Sequence, residues 1–177
     1  MREALRKMAG LMFLLTFLGI TGCGSSIHKA ASEGNIPKIK DAIKEGENIN
    51  ERNLSGSTPL HIAAENGHLE VVKYLLSRNG NINAENSYIE TPLHIASAQG
   101  HFDIVKFLLS KGANLHLKNN HGDTPLMIVS RKGYVDIVKL LIFHGARFNI
   151  KNHYDETPEF LASKFGHTDV LEVLNNV

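Results

Sequence analysis

Thr-Pro recurs four times at a fixed interval, as Thr58-Pro59, Thr91-Pro92, Thr124-Pro125 and Thr157-Pro158, always 33 residues apart. Glycine keeps the same step at Gly34, Gly67, Gly100, Gly133 and Gly166, and asparagine keeps it at Asn53, Asn86, Asn119 and Asn152. A period of this size marks a chain of stacked supersecondary units, since one such unit cannot bury both of its own faces and must be covered by neighbours. The recurring types say what each unit contains. Threonine is a favoured N-cap, and proline suits the first helical position because its missing N–H has no helical partner there. Glu70, Asp103, Asp136 and Asp169 open a second helix, where negative charge suits the N-terminal end of the dipole. Lys73, Lys106 and Lys139 follow three residues after the first three of these acids, a spacing that predicts ion pairs along the helix surface. Gly46, Asn79, Gly112 and Gly145 stand where each second helix must stop. The apolar set Leu60, Ile62, Ala63, Val71, Val72, Leu75 and Leu76 returns 33 residues later as Leu93, Ile95, Ala96, Ile104, Val105, Leu108 and Leu109. This pattern predicts an all-α solenoid.

The run Thr58-Pro59-Leu60-His61-Ile62-Ala63-Ala64, with Gly67-His68, Val71-Val72 and Leu75-Leu76 after it, resembles the ankyrin repeat. The resemblance covers residues 25–177 and implies about five helix-turn-helix units with projecting hairpin loops. Capping units fall at about 27–54 and 154–177, and interior units at 55–87, 88–120 and 121–153. Polar residues at the two ends (Lys29, Lys38 and Asp41 at one, Glu159 and Asn175 at the other) suit caps that face water. His61 and His94 stand three residues after the threonine cap, where a capping box can close, whereas Met127 and Phe160 forfeit the reciprocal bond. Ile89 and Asp155 replace the turn glycines Gly56 and Gly122, which predicts two hairpins of different shape.

The first 26 residues read differently. Arg2, Arg6 and Lys7 precede an apolar stretch over residues 9–20, shorter than the roughly 20 residues a membrane-spanning helix needs and suited to a signal peptide. Ile20-Thr21-Gly22-Cys23 then resembles the lipobox of bacterial lipoproteins. That resemblance implies removal of residues 1–22, lipid on Cys23, a short tether over 23–26 and a membrane attachment through the N-terminal lipid. Gly24 in place of a retention aspartate implies the outer membrane, facing the periplasm, in a cell with two membranes. Cys23 is the sole cysteine, so no internal disulfide and no cysteine-built zinc site is available.

For function, 19 Lys+Arg against 18 Asp+Glu give a net charge of +1, with no broad basic face for nucleic acid. No phosphate loop, nucleophile elbow or paired-histidine zinc helix occurs, so the reading is non-enzymatic, with no cofactor and no metal. Ten histidines nonetheless raise a second possibility. His28, His61, His94, His68, His101 and His167 follow the repeat and read as structural, whereas His116, His121, His144 and His153 do not follow it. A metal- or small-molecule-dependent envelope enzyme would have to use the irregular four. The ankyrin resemblance implies instead a monomeric interaction module that binds another protein along a concave face. Carried onto this chain, the hairpin tips are Ser55, Ser57, Tyr88, Glu90, His121, Asp123, Tyr154 and Glu156, and the first-helix positions are Glu65, Asn66, Ala98, Gln99, Arg131, Lys132, Lys164 and Phe165. Five units at helix-packing spacing make a groove about 40 Å long.

Overall fold

Four Thr-Pro segments and the Asn35 cap open five of the short helices, and the computed structural model, which describes residues 26–176, arranges ten helices among them in five pairs. The pairs are α1 (Ser26–Ser32) with α2 (Ile36–Lys44), α3 (Pro59–Glu65) with α4 (Leu69–Ser77), and α5 (Pro92–Gln99) with α6 (Phe102–Ser110). Two more follow: α7 (Pro125–Lys132) with α8 (Val135–Phe143), and α9 (Pro158–Lys164) with α10 (Thr168–Asn175). No strand occurs among the described residues. The signal segment, Cys23 and Gly24 lie outside them.

Each first helix packs on the first helix of the next pair, and each second helix on the next second helix, with the first-helix row the more intimate of the two. Side-chain size explains the difference. Every first helix carries a small or slender buried residue at one register, Ala30, Ala63, Ala96, Val129 and Ala162, which lets backbones approach. The second helices interpose Leu75, Leu108, Leu141 and Leu174. Each fully buried leucine or valine contributes about 1.5–3 kcal/mol, and one continuous core runs from Ile27 to Leu174.

The predicted caps form, with one correction among the ion pairs. Thr91 Oγ1 accepts the His94 N–H while His94 Nδ1 accepts the Thr91 N–H at 3.2 Å, closing the box. Thr124 and Thr157 accept from Met127 and Phe160 without the reciprocal bond. Of the three predicted acid–lysine pairs on the second helices, Lys73–Glu70 forms at 2.6 Å. Lys106 and Lys139 make none of the ion pairs found among the described residues. Their partners are aspartates, one methylene shorter than Glu70.

The hairpins correct a second expectation. Ile89 and Asp155 adopt φ of 59° and 62°, the left-handed region also used by Gly56 and Gly122 at 71° and 77°. Ile89 N–H bonds the Asn86 carbonyl at 3.0 Å, just as Gly56 N–H bonds that of Asn53 at 2.9 Å. All four turns therefore share one shape. The recurring asparagine imposes it: each side-chain Oδ1 accepts two backbone N–H groups, two and four residues on. For Asn86 these are Tyr88 at 2.8 Å and Glu90 at 3.0 Å. Those bonds overrule the preference of a β-branched residue for negative φ.

Candidate protein-binding surface

Two histidine ladders hold neighbouring pairs in register. In the first, a carbonyl one residue before the next unit's threonine accepts a ring Nε2–H: Ser57 from His28 at 2.9 Å, Glu90 from His61 at 2.9 Å, and Asp123 from His94 at 3.2 Å. In the second, His68, His101 and His167 donate Nε2–H to Ser32, Glu65 and Arg131 carbonyls at 2.9, 3.0 and 3.0 Å. These rings lie against the glycines of the preceding unit; a Cβ on Gly133 would stand 2.5 Å from His167 Nδ1. The mid-unit glycine thus makes room for an imidazole as well as permitting a tight turn. Six of the ten histidines are accounted for in this way.

Because a carbonyl only accepts, Nε2 of His61 and His94 must carry the proton, leaving Nδ1 to accept from the Thr58 and Thr91 N–H groups. A second proton on Nδ1 would face a donor in a dry site. Burial accordingly pushes His61 below its ordinary value and His94 down to about 4. Both are neutral structural groups.

The fourth unit breaks both ladders, with Met127 and Tyr134 where histidines would stand. A polar chain replaces the first ladder there. Asp123 binds Arg131 Nη2 at 2.7 Å and Asn152 Nδ2 at 2.8 Å. Asn152 Nδ2 also reaches Glu156 Oε2 at 3.0 Å, and Glu156 Oε1 takes Lys164 Nζ at 2.8 Å. The ammonium and then the amide hold the Glu156 carboxyl below the usual carboxylate range.

Against this frame the candidate residues separate. Ser55, Tyr88, His121 and Tyr154 stand exposed at the tips, Tyr88 at 57% and Tyr154 at 64%. Glu90 and Glu156 are half-buried. Ser57 and Asp123 are corrected out of the surface, at 8% and 2% exposure. They precede the cap threonine, where the chain turns inward, and Asp123 spends both carboxylate oxygens on internal partners. Glu65, Asn66, Gln99, Lys132, Lys164 and Phe165 are exposed along the first-helix row, with Arg131 half-buried by its bond to Asp123. Phe165 lies under the Lys164 ammonium, 5.9 Å from its ring centre, and Phe160 shares that ammonium at 5.8 Å.

The tips are joined main chain to main chain. Ser87 N–H donates to Ser55 O, Asn120 N–H to Tyr88 O and His153 N–H to His121 O, each at 3.0 Å. His121 stacks on Tyr154, centroids 6.2 Å apart, with Nδ1 3.3 Å from the tyrosine oxygen. Two tip residues escape a reading by residue type: Leu54, fully exposed, and Ile89, 44% exposed at positive φ. The columns 54-87-120-153 and 56-89-122-155 hold the signal, since Leu54 and Ile89 are each the one large aliphatic residue in an otherwise polar or glycine column. His121 and His153 do approach through their backbones, but no group of three or more potential metal-ligating side chains converges among the described residues.

The ankyrin repeats family, in three copies, matches residues 27–119 and 112–176. The chain belongs to the ankyrin repeat family. No curated protein matches it. Ankyrin repeats are generally protein–protein interaction modules, and the family is typically non-enzymatic.

Proposed function

We propose that this ankyrin repeat protein is a non-enzymatic, monomeric module that captures one partner protein along the face formed by its hairpin tips and first helices. One observation carries the reading. The tips are locked to one another through backbone bonds and yet present Tyr88, Ile89, His121 and Tyr154 to solvent. A rigid row of exposed aromatic and apolar side chains lowers the ordering cost of association, and tyrosine is enriched where interfaces concentrate their energy. Such a strip is an expensive way to decorate a surface that meets only water.

The test is crosslinking capture of partner from the native cell envelope, comparing wild type with a Tyr88→Ala, Tyr154→Ala double variant. Capture should fall at least tenfold while the melting temperature stays within a degree or two, because neither ring is buried. Undiminished capture by the double variant would reject this surface.

The same proposal places the protein in the bacterial envelope, lipid-anchored through Cys23 and facing the periplasm from the outer membrane where two membranes exist. Its support is the sequence Ile20-Thr21-Gly22-Cys23 after a short apolar run. Radiolabelled palmitate should enter wild type and not Cys23→Ser; label in both would remove the anchor.

A further inference from the structure

In the fourth and fifth units a hairpin acid is matched by a cation eight residues on, Asp123 by Arg131 and Glu156 by Lys164, at 2.7 and 2.8 Å. The third unit has the acid without the cation. Glu90 stands at the register of Asp123 and Glu156, but the position of Arg131 and Lys164 is Ala98. The rest of the arrangement is preserved. Asn86 Nδ2 holds Glu90 Oε2 at 3.2 Å, as Asn152 Nδ2 holds Glu156 Oε2 at 3.0 Å. What differs is Oε1: in Glu156 it takes the Lys164 ammonium, and in Glu90 it takes no hydrogen bond among the described residues. Glu90 also makes none of the ion pairs found there. Glu90 and Ala98 are both half-exposed, so the opening faces solvent beside Tyr88.

The charge balance of the groove has the same sense. Its C-terminal half is neutralised from within by the two bridges. Its N-terminal half carries Glu90 and, one unit earlier on the first-helix row, the exposed Glu65, neither of which joins an ion pair among the described residues.

We propose that the Glu90 carboxylate is an anchoring subsite for an arginine or lysine side chain of the partner, which supplies from outside the cation that the next two units supply for themselves. This rests on the protein-binding reading and names the chemistry of the partner. The partner segment is basic and extended. A second basic residue lies over Glu65; neighbouring units are about 8–10 Å apart, and a polyproline-II chain advances about 3.1 Å per residue with every third side chain on one face, so the two cations fall about three residues apart. A guanidinium satisfies the carboxylate best, because its planar fork matches both oxygens and the bond is charge-assisted.

The probe is the peptide acetyl-Arg-Ser-Ser-Arg-amide against its counterpart with both arginines replaced by uncharged, near-isosteric citrulline, titrated into the full-length chain by NMR. The arginine peptide should bind about tenfold more tightly. Glu90→Gln should cut that preference to about threefold, the share left to Glu65, and so should Ala98→Arg, which closes the opening from within and should leave the melting temperature equal or slightly higher. Equal affinity for the two peptides, no measurable binding of either, or a preference undiminished by Glu90→Gln overturns the assignment. The partner-capture test on Tyr88 and Tyr154 reads different residues, so this subsite can fail while the interaction face stands.

Discussion

The junction between the third and fourth units and the junction between the fourth and fifth solve one geometric problem with opposite chemistry. At the first, the neutral ring of His94 closes the Thr91 cap and donates to the Asp123 carbonyl, inside the core. At the second, Met127 fills the equivalent space with an apolar side chain, and register passes to a chain of charged and amide groups from Arg131 through Asp123, Asn152 and Glu156 to Lys164. A ladder rung made of one imidazole is indifferent to salt and vulnerable to acid. A rung made of carboxylates and cations is sensitive to salt and yields to acid only at lower pH. Equal spacing between units does not require equal forces.

The largest effect expected is at the imidazole. His94→Ala should lower unfolding free energy by about 3–4 kcal/mol in denaturant titration, since it opens a cavity, loses the reciprocal cap and leaves the Asp123 carbonyl without its donor. A cost under about 1 kcal/mol would mean the ring is replaceable and the contrast empty. Next comes pH. The folded His94 value of about 4 lies below the unfolded 6.5, so the unfolded chain binds the extra proton first. Stability is therefore full above pH 6.5 and falls as pH drops toward 4, by about 1.4 kcal/mol per unit and about 3 kcal/mol in all, with His61 acting in the same direction. Glu156, depressed by its partners, contributes stability that is kept above the ordinary carboxylate value of 4.5 and lost only as pH falls below it. Thermal melts across this range should show the histidine slope first, and His94→Gln should flatten it.

A smaller loss is expected on the other side of the comparison. Asp123→Ala strands Arg131 and Asn152 and should cost about 2 kcal/mol, a figure that shrinks as salt rises, whereas the cost of His94→Ala should not. Identical salt responses would erase the distinction. The smallest effect serves as the control. Ser97 and Ser130 occupy the same register in the third and fourth units, and their buried hydroxyls find no partner among the described residues. Ser97→Ala and Ser130→Ala, each adopting the residue that Ala31 and Ala64 already use, should stabilise by about 0.5–1 kcal/mol and equally, because neither belongs to either kind of rung.

The framework was readable because backbone needs and residue types correspond closely: Thr-Pro to a helix start, Gly or Asn to a stop, spaced alanines to close helix contact. The ladders were only half readable. His61 and His94 reveal their cap partner three residues away, but not the carbonyl 29 residues on that their Nε2–H seeks. Asp155 and Ile89 misled for a related reason, since the asparagine three residues before each dictates a turn that their own preferences would not choose. The surface was least readable. Ser57 and Asp123 look like tip residues by register, yet the chain has already turned inward there, and long-range pairing with Arg131 and Asn152 is invisible to any local pattern. Glu90 shows its meaning only when its two sisters are seen bridged and it is not.

The tip-to-tip bonds from Ser87, Asn120 and His153 use amide and carbonyl groups alone. Such a fastening is blind to side-chain identity. Swapping what is displayed at 55, 88, 121 or 154 therefore leaves the spacing of the display untouched, and a chain of this build could acquire a different partner through a handful of substitutions without renegotiating its own stability.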